Sequence, residues 1–299
     1  MKLSLNRRKF LAKTATALGA VAATGAAVTS TLVRPKAAAA AKKGSDGPMA
    51  FGNQLAEIKK RGKIIVATSM KVAPQTYRDK NTGEPVGFDI EVGKLLAKDL
   101  EVEAEFMEVE NSTVGLTGML GGKYDTVISG MANKPSRALA VQFARGYVPY
   151  DQIMLVKEGI KDVPWQSLNK KGVKITAQLA STGEFRAKEA FPMAEVVSLG
   201  QIELMLEVAS GRADACLIEA YLALPFAENH PTTRVLRDVA TGDPQVVARE
   251  WGCIPARQGE HAFAHYLNNW LNWYYERGTI PALYDKIIGP ALKGDTYWK

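Results

Sequence analysis

The sequence predicts an α/β protein built as two lobes. Short apolar runs alternate with amphipathic stretches of helical period from about residue 50 onward. Each strand-like run is followed by a helix-like one, which argues for largely parallel sheets covered by helices. The alternation restarts near residue 150, so one α/β unit follows another.

The elements read as follows. FGNQLAEIKKRGK is an opening helix and KIIVAT a buried strand. SMKVAPQTYRDKNTGEPVG is rich in turn formers and has no period, so it is expected to be a loop. GFDIEVGKLLAKDL sets Phe88, Val92, Leu95 and Leu96 on one helical stripe. VEAEFMEV alternates as a strand, STVGLTGMLGGK is a short helix and YDTVISG a strand. In the second unit, YDQIMLVKEG, VKITAQLA, AEVVSL, DACLIE and EWGCIPAR read as strands. STGEFRAKEAF, QIELMLEVASGR, AYLALPFAENH and EHAFAHYLNNWLNWYYERG read as helices. The last of these is amphipathic, so Trp270, Trp273, Tyr274 and Tyr275 are expected to serve packing.

The first residues are excluded from fold reasoning. Arg7-Arg8 precede a weakly apolar stretch from about Leu11 to Val33, followed by the small residues of VRPKAAAAAKK. A basic start, an apolar middle and a small-residue cleavage region mark a secretory signal, and the paired arginines point to twin-arginine export. Residues 1–41 are read as this signal and 42–49 as a linker. The signal also accounts for the basic balance. Residues 1–41 hold seven of the chain's 38 Lys and Arg and no acid, which leaves 31 basic against 31 acidic residues. The remainder is formally neutral, which argues against nucleic acid as a partner. Two cysteines, Cys216 and Cys253, could pair in an oxidising compartment or stand as buried thiols.

In open α/β sheets ligands sit beyond the carboxyl ends of the strands, near helix N-termini. Three polar devices fall there. Arg137 follows YDTVI in SGMANKPSR, at the first turn of a helix. Ser181-Thr182 stand at a strand-to-helix junction, and Gln178 begins the same QLAST segment. Glu219 ends the strand DACLIE. Each alone has an ordinary reading: a surface arginine, an N-cap, a solvated acid. Divided between two units, they favour a cleft.

Taken together, these stretches resemble the periplasmic solute-binding proteins of ABC importers, family 3, the amino-acid-binding group. GEPVGFDIEVGKLLAKDL, GMLGGKYDTVISGMANKPSR, ASGRADACLIE and GTIPALYDKIIG match four of that family's segments, in order, between about Gly62 and Gly289. The resemblance implies a type II periplasmic-binding fold with two α/β lobes joined by two hinge strands. It divides the chain into a first lobe over 50–147, a second over 148–251 and a return to the first over 252–299, with hinges near 147–150 and 249–252. It implies that Arg137 forks onto a ligand carboxylate. Gly130 and Ala132 offer backbone groups, Ser181 and Thr182 donate from the second lobe, and Glu219 accepts from a ligand ammonium. Ser69, Val72 and Ser112 stand at positions that contact the ligand side chain.

The sequence departs from the family at four of these positions. Glu219 replaces the usual Asp and reaches a methylene further into the cleft. Ala132 lacks the usual hydroxyl, and neither Val72 nor Ser112 is the stacking aromatic often found there. These changes weigh against an ordinary α-amino acid, and Ser69, which stands where some members carry an Asp for a polar or basic side chain, weighs more against a cationic one.

The implied partners are a small carboxylate-bearing solute and the subunits of an inner-membrane ABC permease. The protein is expected to be a periplasmic monomer without cofactor. His261 and His265 in HAFAH could share a helix face, but no third histidine stands near them in sequence and no metal is expected. The enzymatic alternative on the same fold is a periplasmic cyclohexadienyl dehydratase, in which Glu219 would act as a cleft acid.

Overall fold

A computed structural model describes residues 53–293; the signal and linker expectations for 1–41 and 42–49 lie outside these. Helix α1 (Gln54–Arg61) leads into strand β1 (Lys63–Thr68) and three very short strands, β2 (Lys71–Val72), β3 (Thr76–Arg78) and β4 (Pro85–Val86). Helix α2 (Phe88–Asp99), strand β5 (Glu103–Glu108), helix α3 (Ser112–Leu120), strand β6 (Thr126–Val127) and helix α4 (Pro135–Ala138) follow. Strand β7 (Val141–Lys157) opens the second unit. It continues with β8 (Lys174–Gln178), α5 (Thr182–Ala190), β9 (Glu195–Leu199), α6 (Gln201–Ala209), β10 (Ala215–Glu219) and α7 (Ala220–Asn229). Strands β11 (Thr233–Val235) and β12 (Val246–Arg257) and helices α8 (His261–Glu276) and α9 (Thr279–Ile287) follow.

The two-lobed α/β architecture rests on two sheets. The first has the order β5-β1-β6 and is parallel throughout. The second has a parallel core, β10-β8-β9, extended by β7, which runs antiparallel to β10, β11 and β12. The apolar run of β10 is explained by burial on both faces. Cys216 and Ile218 face one core cluster, and Ala215 and Leu217 face another. Both cysteines are free and fully buried, so the thiol alternative is the one observed.

The stretch expected to be a loop between β1 and α2 instead carries a small antiparallel sheet, β2-β3-β4. Strands of two or three residues are too short to show a period of two. The 17-residue β7 and 12-residue β12 also exceed the runs read from sequence. They pair with each other, Val148 opposite Gly252 and Pro149 opposite Trp251. The expected hinge segments therefore lie side by side within two long strands.

Helix α2 buries Phe88, Val92 and Leu96 completely, worth about 1.5–3 kcal/mol each. Phe88 packs on Tyr147 of β7 and edge-on against Tyr284 of α9. Helix α8 buries Phe263, Leu267, Trp270 and Leu271 and leaves Trp273 outside. Trp270 also donates to the Asp99 carboxylate at 2.8 Å. His261 shares a hydrogen bond with Gln142, and no cluster of metal-ligating side chains occurs among the described residues.

Where β12 passes β7, residues 130–132 press against it. Ala132 bridges Gly252, and Cys253 N–H donates to the Met131 carbonyl at 2.8 Å. A Cβ on Gly252 would lie 2.5 Å from Val148 Cγ1 and 2.8 Å from Gly130 Cα, so part of the obstruction is backbone that cannot rotate away. Gly252→Ala is therefore expected to destabilise the fold by roughly 1–3 kcal/mol through overpacking. Urea unfolding of the variant beside the parent protein measures this.

Candidate functional site

A cleft with about 560 Å³ of empty space, part of it open to solvent, lies where the carboxyl ends of the parallel strands from both sheets converge. Ser69 follows β1, Asn111 follows β5, and Ser129 to Ala132 follow β6. From the second sheet come Gln178 at the end of β8, Gln201 after β9 and Glu219 at the end of β10. Parallel strands that enter a sheet in one direction present their ends on one edge, so the topology alone brings these residues together.

Arg137 sits on α4, whose Pro135 fixes the first turn. The short helix turns its arginine inward, leaving it 9% exposed. One terminal nitrogen donates to the Ala132 carbonyl at 3.0 Å, and the other to the Ala180 carbonyl at 3.3 Å. The second bond crosses to the loop after β8. Burial lowers the Arg137 pKa, with nearby Tyr150 opposing, yet a guanidinium stays protonated in any protein. No carboxylate among the described residues forms an ion pair with it.

Ala180 holds its carbonyl in place from a left-handed backbone, φ +59°, a conformation an alanine adopts at a cost of about 1–2 kcal/mol. Its N–H donates to Glu184 Oε2 at 2.7 Å. Ser181 caps α5 by accepting from Glu184 N–H at 3.1 Å. The capping uses one N–H of the helix start, and the Thr182 and Gly183 N–H groups have no acceptor in the helix.

Glu219 ends β10 and occupies the N-cap position of α7 without capping it. Burial pushes its carboxyl pKa up, offset only by its own backbone N–H. It forms no ion pair among the described residues, Arg137 included. Tyr150 of β7 stands in electrostatic reach of both. Burial and the Glu219 charge raise its phenol pKa, while Arg137 and a contact with Thr182 pull the other way.

Gly130 has φ +59°, and a Cβ there would lie 2.4 Å from Gln75 Nε2. Glycine is therefore required by conformation, while the nearby space is filled by the movable end of the Gln75 side chain. Ser69 N–H donates to Ser129 Oγ at 3.3 Å, while Ser69 Oγ has no hydrogen-bond partner among the described residues. Val72 contributes the apolar wall. Ser112 opens α3, and Asn111, the residue before it, lines the cavity.

Thus Ser69, Val72, Gly130, Ala132, Arg137, Gln178, Ser181, Thr182 and Glu219 all border one cavity. The sequence reading missed Gln75, Asn111, Tyr150, Gln201 and Tyr221. Asn111 and Gln201 were within reach of the strand-end argument, since each follows a strand and precedes a helix. Gln75 lies in the stretch expected to be a loop. Its side-chain oxygen accepts a short hydrogen bond from the Tyr221 hydroxyl of α7, a second bond between the two sides of the cavity.

Comparison with known proteins agrees with this fold. The family model for bacterial extracellular solute-binding proteins, family 3, matches residues 64–290. The glutamine-binding protein of an ABC transporter from Bacillus subtilis (strain 168) is 27% identical over 258 residues, 84% of this chain and 91% of that protein. Among solved structures, an ancestral amino acid-binding protein, a precursor of cyclohexadienyl dehydratase, aligns with a TM-score of 0.68. It is 34% identical and is covered over 98% of its length by 78% of this chain. An arginine-binding protein from T. maritima aligns equally well, with a TM-score of 0.68 at 25% identity, over 79% of this chain and 99% of its own. The shared architecture is the type II periplasmic-binding fold.

Behind the cavity, the fully buried Asp89 accepts from the Tyr147 hydroxyl at 2.7 Å, and that hydroxyl accepts from Gly130 N–H at 2.9 Å. Burial raises the Asp89 pKa from 3.8 to about 7, with the Tyr147 and Gln75 side chains opposing. The folded state thus keeps a proton that the unfolded chain has lost. Stability then falls as pH rises from about 4 to 7, by roughly 4 kcal/mol from this group. Asp89→Asn is expected to flatten that slope, so that its melting temperature gains on the parent's as pH increases. Calorimetry at pH 5 and pH 7.5 tests the sign.

Proposed function

Because this chain belongs to the bacterial extracellular solute-binding proteins of family 3, we propose that it captures a small carboxylate-bearing solute, an amino acid or a close relative, and delivers it to an ABC permease of the inner membrane. The observation that carries this is the buried Arg137, whose guanidinium borders the cavity with two carbonyl acceptors and no anion to neutralise it. A ligand carboxylate supplies that anion, accepting from the planar fork and from the free N–H groups that start α5. A ligand ammonium pairs with Glu219, which ionises when the charge arrives.

The carboxylate contacts groups from both sides of the cavity, so binding favours the closed arrangement. We assign residues 50–147 and 252–299 to one lobe and 148–251 to the other, with the paired segments 147–150 and 249–252 as the hinge. Family membership supports a location outside the cytoplasmic membrane. Arg7-Arg8 support twin-arginine export to the periplasm, where the protein acts as a monomer.

A second reading is favoured by one feature, the raised pKa of Glu219, which forms no ion pair among the described residues. A carboxyl kept neutral by burial can give a proton. On that reading the chain resembles the descendants of its ancestral relative and dehydrates a carboxylated ring.

Five measurements test these readings. Arg137→Ala is expected to weaken binding by roughly 3–5 kcal/mol while the protein still melts cooperatively, read by calorimetry against the common L-amino acids. Small-angle scattering is expected to show compaction at saturating ligand, and an unchanged radius would count against hinge closure. Glu219→Gln is expected to lose about tenfold in affinity, as a charge-assisted bond becomes a neutral one. Affinity of the parent protein should also drop as pH is lowered through the Glu219 pKa. Turnover of prephenate or arogenate to an aromatic product, abolished in Glu219→Gln, would instead establish the dehydratase.

A further inference from the structure

One buried hydrogen bond crosses the cavity between two uncharged side chains. The Tyr221 hydroxyl, in the first turn of α7, donates to Gln75 Oε1, in the segment between β2 and β3. Both residues are only 4% exposed, and Gln75 is the one hydrogen-bond partner of that hydroxyl among the described residues. The other bonds across the cavity are longer. Arg137 reaches the Ala180 carbonyl at 3.3 Å, and the exposed Thr113 reaches the same carbonyl at 3.5 Å. Gln75 is also held from behind. Its carbonyl accepts from Asp89 N–H at 2.9 Å, and the Pro74 carbonyl accepts from Phe88 N–H at 3.3 Å, which ties residues 74–75 to the start of α2. A Cβ on Gly87, at φ +119°, would lie 2.5 Å from the Gln75 carbonyl oxygen, so a glycine lets the segment sit that close. The side chain has a fixed sense as well. Its Nε2 and Asp89 Oδ2 do not meet in a full hydrogen bond, yet the amide opposes the rise that burial imposes on the Asp89 pKa. The donor end of Gln75 is thus turned to a carboxyl of its own side and the acceptor end to Tyr221.

We propose that Tyr221 and Gln75 form a latch that holds the two sides of the cavity together whatever solute lies between them. This rests on the hinge-closing reading, which puts Gln75 in one lobe and Tyr221 in the other. With the lobes apart, water satisfies both groups. On closing they exchange water for each other, and the net gain from one such bond is modest. Removing a single partner forfeits more than that gain, because the group left behind is closed away from water unpaired. Replacing both partners with apolar side chains removes the penalty together with the bond. A latch therefore differs from two independent contacts in how its parts fail.

Spin labels introduced through Lys123→Cys and Met193→Cys, at exposed positions on the two sides, read the separation of the lobes by pulsed electron resonance. Cys216 and Cys253 are buried and take no label. Unfolding, dialysis and refolding strip any carried solute, and cooperative melting checks each protein. Without added solute the parent is expected to show a short distance, alone or beside a longer one. Tyr221→Phe and Gln75→Leu are each expected to lower the ratio of short to long by at least about tenfold. The double variant is expected to recover most of that loss, as coupled partners do not add. Tyr221→Phe, which removes a single oxygen, carries the test if Gln75→Leu fails to fold. A parent showing the long distance alone, a ratio unmoved by either single change, or shifts that multiply in the double variant would overturn the latch. A mixture of the common L-amino acids that still shortened the distance would then leave hinge closure standing. One and the same distance in all four proteins, with and without that mixture, would overturn hinge closure and the latch together.

Discussion

A guanidinium taken out of water without an anion is the constraint around which the cavity is arranged. Arg137 is held by two carbonyls that come from different sides of the molecule, Ala132 and Ala180. Each carbonyl needs its own support. Ala132 is tied to Gly252 on the long strand β12, and Ala180 is kept in a left-handed conformation by the Glu184 carboxylate. The lack of side-chain bulk at Gly252 allows its backbone to approach that of Gly130. The arginine is therefore positioned by backbone geometry from three segments, and its charge is left over.

The contrast with the surface is instructive. Ion pairs such as Lys59–Glu101 and Lys71–Glu110 are exposed, and pairs of this kind contribute about 0–1 kcal/mol. Inside, Arg137 and Glu219 border one cavity and do not neutralise each other. A structure optimised for stability alone would pair them or replace both with apolar residues. Keeping them apart costs stability, and on the proposed function a solute that meets both with opposite charges at the right separation returns it. The same logic applies to Ser69, whose buried hydroxyl has no protein partner.

Much of this was legible in the sequence because parallel α/β topology makes strand ends meaningful. Arg137, Gln178, Ser181, Thr182 and Glu219 could be placed by asking which polar residues follow apolar runs. The method fails where position depends on long-range packing. Tyr150 lies inside a strand and Tyr221 inside a helix, where an aromatic reads as core. Gln75 is brought to the cavity by strands β2 and β3, too short to leave a periodic signal. The length of β7 and β12 was also hidden, because a strand that passes from one sheet region to another changes its burial pattern midway.

The bonds from Arg137 to Ala180 and from Tyr221 to Gln75 join the two sides of the cavity directly. On the proposed function this separates affinity from contact. These bonds belong to the closed arrangement itself, so the affinity observed is the intrinsic one scaled by the fraction of molecules that adopt that arrangement. A change in the paired segments of β7 and β12 can then retune capture over orders of magnitude while every group facing the solute stays the same. Escape follows the same rule. A trapped solute leaves at the rate at which these protein–protein bonds break, so a membrane partner can trigger release by drawing the two lobes apart from outside, without reaching the solute.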